Sequence, residues 1–197
     1  MVFCADDFKQ RRVTRGSPST SLRSHLPRST IAGIVLTKIF RFLQVLTTGL
    51  YTGLLFADRI GVTPIRPKLP ASSFVLYQQE LHLRFGRLMP VLLITSLVAG
   101  IGWLVLERRR FRRSEFIFTA IAIVCTACVI ILTRLINVPI NETLMTWQAS
   151  SPPENVMQLW APWEGSHTIR TVIALLGFGS LAYAVCGRPD IEDVLMR

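Results

Sequence analysis

Two histidines, His82 and His167, sit beside apolar stretches and are the natural candidates for proton transfer in this chain. Helical spacing gathers other polar residues near each of them. Trp160, Trp163, His167 and Arg170 follow one another at i, i+3, i+7 and i+10, which is one helix face if a helix begins near Ala161. Arg134, Asn137 and Asn141 are spaced i, i+3, i+7, one face as far as Pro139 permits. Gln78 and His82 are one turn apart, with Gln79 and Gly86 close to the same side. These three groups could converge on one polar pocket.

Each residue also has a plainer reading. Tryptophans at a membrane boundary are common interface anchors. His82 could be a solvated residue on an amphipathic helix. Arg134 and Arg170 are costly in an apolar stretch unless paired, and Glu142 or Glu164 could pair with either. Asn137 and Asn141 could tie off backbone groups released by Pro139. Metal chemistry has less support. His82, His167, Glu80, Glu142 and Glu164 are available ligands, but no H-x-x-x-H or H-x-x-E-H spacing occurs. Copper or iron between His82 and His167 stays open. There is no P-loop, G-x-G-x-x-G or G-x-S-x-G.

The elements that position these residues are membrane spans. The chain has 197 residues, 50% of them hydrophobic, and 17% charged against the ~25% usual in soluble domains. Four apolar stretches, at about 31–60, 88–106, 115–137 and 162–186, are long enough to cross a ~30 Å hydrocarbon core. Residues 1–30 read as a disordered basic tail, 31–187 as one membrane domain and 188–197 as a short C-terminal tail. A helical pattern starts near Ser73, and its first part, FVLYQQELHLRFGR, is amphipathic and should project from the membrane or lie in its interface. Pro162 suits the first turn of the last helix. Pro139, Pro152 and Pro153 prevent residues 138–161 from forming one smooth helix.

Charge placement gives the orientation. Residues 107–115 read ERRRFRRSE, with five arginines, whereas residues 137–167 hold no Lys or Arg. The positive-inside rule then puts both termini in the cytoplasm. The expected fold is an all-α, antiparallel four-helix transmembrane bundle with the polar groups at its non-cytoplasmic end. The net charge of +10 belongs to the N-terminal tail and this loop, so no nucleic-acid partner is expected. The Arg/Ser bias of the tail resembles a mitochondrial transit peptide, against which Asp6 and Asp7 weigh; no cleavable secretory signal is read. Which membrane holds the protein stays open.

Two smaller motifs have structural readings. Cys125 and Cys128 form a C-x-x-C in mid-span, where neither charge nor water would activate a thiolate, so they read as small apolar residues. Gly49 and Gly53 form a G-x-x-x-G that suits close helix packing, within the chain or between copies in a homo-oligomer. Asn141-Glu142-Thr143 is a glycosylation pattern, expected to lie too near the membrane to carry a glycan.

Taken together, Met89-Pro90 after the amphipathic stretch, N-x-P-x-N at Asn137, Pro139 and Asn141, and W-x-x-W-x-x-x-H-x-x-R-T from Trp160 to Thr171 resemble the anthrone oxygenase-like family of small four-span membrane proteins. G-L-Y-T-G-L-L-F at Gly49 to Phe56 is also similar, and the resemblance runs from about Thr37 to Ala184. It implies an oxygenase that uses dioxygen as co-substrate to convert a hydroxyanthrone to an anthraquinone, with no organic cofactor. His167 or His82 would be the base. Arg170, Asn137 and Asn141 would stabilise the anion, and Trp160, Trp163 and Gln78 would line the substrate's site. The partners implied are the lipid bilayer and a lipophilic small molecule. The alternatives are a non-catalytic membrane binding or assembly protein, and a small transporter.

Overall fold

The computed structural model describes residues 28–108 and 114–186. The tail read as disordered falls almost wholly outside the described residues, as do most of the arginine-rich loop and the C-terminal tail.

The described chain is helical. Its elements are α1 (Arg28–Ala57), α2 (Ala71–Glu107), α3 (Ser114–Leu132), α4 (Val138–Leu144) and α5 (Val156–Cys186). One π-helical turn, Asp58–Val62, extends α1, and another, Thr133–Asn137, joins α3 to α4. Four helical stretches are long and apolar enough to cross a membrane: Ala32–Lys68, Ala71–Glu107, Ser114–Leu144 and Val156–Cys186. Among the described residues there is no strand, only a bridge between Gln148 and Ser151.

α2 is one continuous helix of 37 residues. At ~1.5 Å per residue it is about 55 Å long, well beyond a ~30 Å hydrocarbon core. The amphipathic stretch and the apolar stretch after it are therefore one rod, with Pro90 inside it. α5 likewise begins at Val156, so Pro162 lies inside the helix rather than in its first turn. The added turn is held by packing: Val156 and Trp160 are buried with Phe74, Val75 and Leu144.

The four long helices form a ring in which α1 packs on α2 and α5, and α3 packs on α2 and α5. Its interior is more polar than its exterior. Gln44, Thr48, Thr52, Ser96, Thr119 and Thr126 are buried, while Phe42, Val124, Leu135 and Leu176 are more than 60% exposed. That inversion suits a lipid solvent, which offers no driving force to hide leucine and a high cost for an exposed hydroxyl. The hydroxyls are paired across helices, Thr48 with Ser96 at 2.7 Å and Tyr51 with Thr126 at 2.9 Å. Thr126 donates to the Ala122 carbonyl, so the Tyr51 hydroxyl must donate to Thr126.

Glycine sets the close approaches, though not mainly at the pair read from sequence. A Cβ on Gly49 would meet the Phe178 ring at 3.3 Å, whereas Gly53 has nothing near it. The two tightest contacts are at Gly100, where a Cβ would lie 2.6 Å from Gln44 Nε2, and at Gly177, where it would lie 2.8 Å from Cys125 Cβ. Cys125 thus fills a notch in α5, and both thiols of the C-x-x-C are unbridged.

Candidate functional site

A group of buried polar side chains is assembled where α5, the two π turns and the loop after α1 meet. α5 supplies a column. Trp160 and Trp163 stack at 4.5 Å between ring centroids, Trp163 and His167 at 4.9 Å, both with planes 21° apart. Phe74 of α2 packs edge-on against Trp160. The i, i+3, i+7, i+10 spacing puts Arg170 next, and its guanidinium carbon is 5.6 Å from the Trp163 centroid.

Both π turns deliver side chains to this column. A π turn widens the helix by a residue and re-aims the side chains beyond it, and such turns concentrate at functional sites. Thr133, in the second, accepts a 2.9 Å hydrogen bond from Arg170 Nη1. Asn137 ends the same turn; its amide donates to the Trp163 carbonyl at 3.4 Å and accepts from the Ser166 hydroxyl at 2.8 Å. The first π turn opens with Asp58, whose Oδ2 lies 3.0 Å from His167 Nε2. That separation is within ion-pair range for a protonated ring, and Nε2 has no aligned hydrogen bond.

Arg66 is the hub. It is only 2% exposed although it comes from the proline-rich loop after α1. Nη2 donates to Asp58 Oδ1 at 2.6 Å and Oδ2 at 2.9 Å, and Nη1 donates to Glu164 Oε1 at 2.8 Å and Thr63 Oγ1 at 3.1 Å. Its guanidinium carbon sits 5.0 Å from the Trp163 centroid. Glu164 also accepts from Trp160 Nε1 at 3.0 Å and from Thr63 at 3.2 Å. Burying a guanidinium costs several kcal/mol unless nearly every N–H is engaged by an acceptor, and two carboxylates meet that demand.

The donor inventory fixes the imidazole. Arg170 Nη2 lies 3.4 Å from His167 Nδ1. Arginine can only donate, so Nδ1 is the acceptor, and a neutral His167 carries its proton on Nε2, beside Asp58. Four buried N–H groups around Trp163 lack an aligned acceptor: Trp163 Nε1, Arg66 Nε, Arg170 Nε and His167 Nε2, the last 3.0 Å from Asp58 Oδ2. The network is rich in donors, which suits a ligand bearing acceptor oxygens.

Among the residues singled out from sequence, the structure brings together Asn137, Trp160, Trp163, His167 and Arg170. His82 stands apart: it is half-buried on α2, its ring folded toward Gly86 one turn on, with no hydrogen bond to the network. Gln78 is buried on α2 with Oε1 unpartnered, and Asn141 contributes its backbone carbonyl to the Met145 amide. Arg134 is exposed although Asn137, three residues on, is buried, because the π turn breaks the α-helical register that would have aligned them. Neither Glu142 nor Glu164 pairs with Arg134 or Arg170; Glu164 is taken by Arg66. Among the described residues, no three His, Cys, Asp or Glu side chains converge as a metal site.

Asp58, Arg66 and Thr133 escaped sequence reading. Asp58 had a signal, an acidic residue near the end of an apolar run, where charge is costly. Arg66 had none, being one of several cations in and near the loop after the first apolar stretch.

The comparisons with known proteins bear on the same helices. No curated protein and no solved structure matches the chain. The anthrone oxygenase family model matches residues 81–180, which takes in Asn137, Trp160, Trp163, His167 and Arg170 and leaves out Asp58 and Arg66. With half its length matched, this chain belongs to the anthrone oxygenase family.

Proposed function

We propose that the protein is an integral membrane oxygenase that converts a lipophilic polycyclic phenol of the anthrone type to a quinone with dioxygen, without a metal or organic cofactor. The observation that carries this reading is the placing of His167 between a carboxylate and an arginine: Asp58 at 3.0 Å from Nε2 and Arg170 at 3.4 Å from Nδ1. Asp58, beside Nε2, would stabilise the imidazolium, and Nδ1 would be the base. Arg170, whose bond to Nδ1 is long, would turn its N–H to the oxyanion that appears when Nδ1 takes a proton.

The chemistry balances with dioxygen alone. The anthrone methylene loses one proton to Nδ1, and its electron pair forms a C–O bond to dioxygen. The resulting peroxide anion takes up a proton. The O–O bond then breaks as the second methylene hydrogen leaves, giving a carbonyl and one water. Arg170 Nη2 at 3.4 Å from His167 Nδ1 puts a cation where a metal ion would bind that nitrogen, which supports a base rather than a metal ligand there. Trp160 and Trp163 offer flat apolar surface for the rings.

The four spans are taken to run antiparallel, with both termini and the arginine-rich loop cytoplasmic and the His167 network at the opposite side. Its substrate would arrive through the bilayer. The test is oxygen uptake by the purified protein in detergent with a hydroxyanthrone, after subtracting autoxidation. Uptake above background that survives a chelator and disappears in His167→Ala is expected. No uptake would overturn the oxygenase reading and leave a non-catalytic membrane protein. Uptake abolished by the chelator would make the histidines ligands instead of bases.

A further inference from the structure

Two guanidinium groups sit against Trp163, their carbons 5.0 Å (Arg66) and 5.6 Å (Arg170) from its ring centroid. The protein holds them in different ways. Arg66 is gripped by carboxylates, with N–H bonds to Asp58 and Glu164 as well as to Thr63. Arg170 is also buried, at 5% exposed, yet among the described residues no carboxylate stands within ion-pair distance of it. A guanidinium has five N–H bonds. In Arg170, Nη1 donates to one oxygen, Thr133 Oγ1 at 2.9 Å, while Nη2 faces His167 Nδ1 at 3.4 Å and Nε has no acceptor.

Thr133 is fitted to be that acceptor. It opens the π turn Thr133–Asn137. Its hydroxyl has one proton, and that proton goes back four residues to the Val129 carbonyl at 2.7 Å. Toward Arg170 the oxygen can therefore only accept. The branched Cβ and the bond to Val129 leave it little freedom to turn away. The Trp163 face attracts the guanidinium without fixing which N–H points where. With Nη1 held on Thr133, the rigid planar fork turns Nη2 toward the imidazole. Thr133 is also neutral. A carboxylate in its place would cancel the guanidinium's charge, as Asp58 and Glu164 do at Arg66. A hydroxyl anchors the group and leaves that charge for an anion.

We propose that Thr133 is the positioning residue of Arg170: its hydroxyl, committed as an acceptor by its bond to the Val129 carbonyl, orients the guanidinium so that one N–H meets His167 Nδ1. What that guanidinium then does for an oxyanion rests on the oxygenase reading above. Its placement against Nδ1 does not, and is measured without turnover.

The test uses the full-length protein in detergent, its histidines isotope-labelled at both ring nitrogens and read by nitrogen NMR at a pH where the rings are neutral. The chain has three histidines, and the His167 signals are those missing from His167→Ala. Thr133→Val and Thr133→Ala, which lack the hydroxyl, should each move the Nδ1 resonance toward that of a nitrogen without a hydrogen bond, in the direction Arg170→Ala moves it. Thr133→Ser, which keeps the hydroxyl, should hold the wild-type position. A merely structural threonine would not move this signal. Turnover of a hydroxyanthrone should follow, with kcat about 10–100-fold lower in Thr133→Val, the size of one hydrogen bond to a charged group, KM little changed, and Thr133→Ser near wild type. A resonance unmoved in both Thr133→Val and Thr133→Ala overturns the proposal, as does a loss of kcat in Thr133→Ser equal to that in Thr133→Val. The two readings fail separately. Expected shifts without wild-type turnover remove the oxygenase and keep Thr133 as the anchor of Arg170; turnover with an unmoved resonance removes the anchor and keeps the oxygenase.

Discussion

Asp58 and His167 meet at 3.0 Å across the end of the helix ring, one from a π turn after α1 and the other from α5. Asp58 also holds Arg66 through both carboxylate oxygens. One carboxylate therefore ties the imidazole to the hub cation.

Removing that charge should affect both partners. Asp58→Asn leaves Arg66 buried with Glu164 as its remaining anion, and breaking a buried pair costs about 3–5 kcal/mol. A lowered thermal midpoint in detergent should accompany a large loss of turnover. Wild-type stability in Asp58→Asn would show that the Arg66 network does not hold this end of the ring together.

The two histidines should behave differently. His167→Ala should lower turnover by about 10²–10⁴, the usual contribution of a positioned base. His82→Ala should leave turnover intact and change stability by no more than about 0.5 kcal/mol, since its ring lies beside Gly86 of its own helix and makes no hydrogen bond to the His167 network. Inactivation by His82→Ala alone would reverse the assignment.

Arg170→Lys should not rescue Arg170→Ala. The guanidinium spans Thr133 Oγ1 at 2.9 Å and His167 Nδ1 at 3.4 Å, a fork that a single ammonium does not reproduce. Both variants should lose kcat with little change in KM, as expected where an interaction is made mainly in the transition state. A KM effect alone would make Arg170 a ground-state binding group.

Gly100→Ala should destabilise the fold by about 1–3 kcal/mol through overpacking. Its Cβ would lie 2.6 Å from Gln44 Nε2 and 2.7 Å from Ile123 Cγ1. Adding Gln44→Ala should recover part of the loss, and a double-mutant cycle on thermal midpoints measures how much. Strictly additive effects would mean the two residues do not share this contact.

Composition and spacing alone made the helices and much of the column legible. Stretches of roughly 20 apolar residues admit few structures other than spanning helices. The W-x-x-W-x-x-x-H-x-x-R spacing places four side chains on one helix face, because 3.6 residues per turn is a local property. The resemblance to the anthrone oxygenase family was legible for the same reason, since its motifs lie within single helices and the matched segment spans residues 81–180. Tertiary structure decided the rest. Arg66 and Glu164 lie far apart in sequence, and only the fold of the loop after α1 brings that cation onto Trp163. Likewise, π turns at Asp58 and Thr133 depend on packing rather than propensity, so the α-helical period misplaced Arg134 and passed over Thr133. Local periodicity dictates which residues share a helix face; which faces meet depends on contacts between residues distant in the chain, and those contacts bring His167, and not His82, to Asp58 and Arg170.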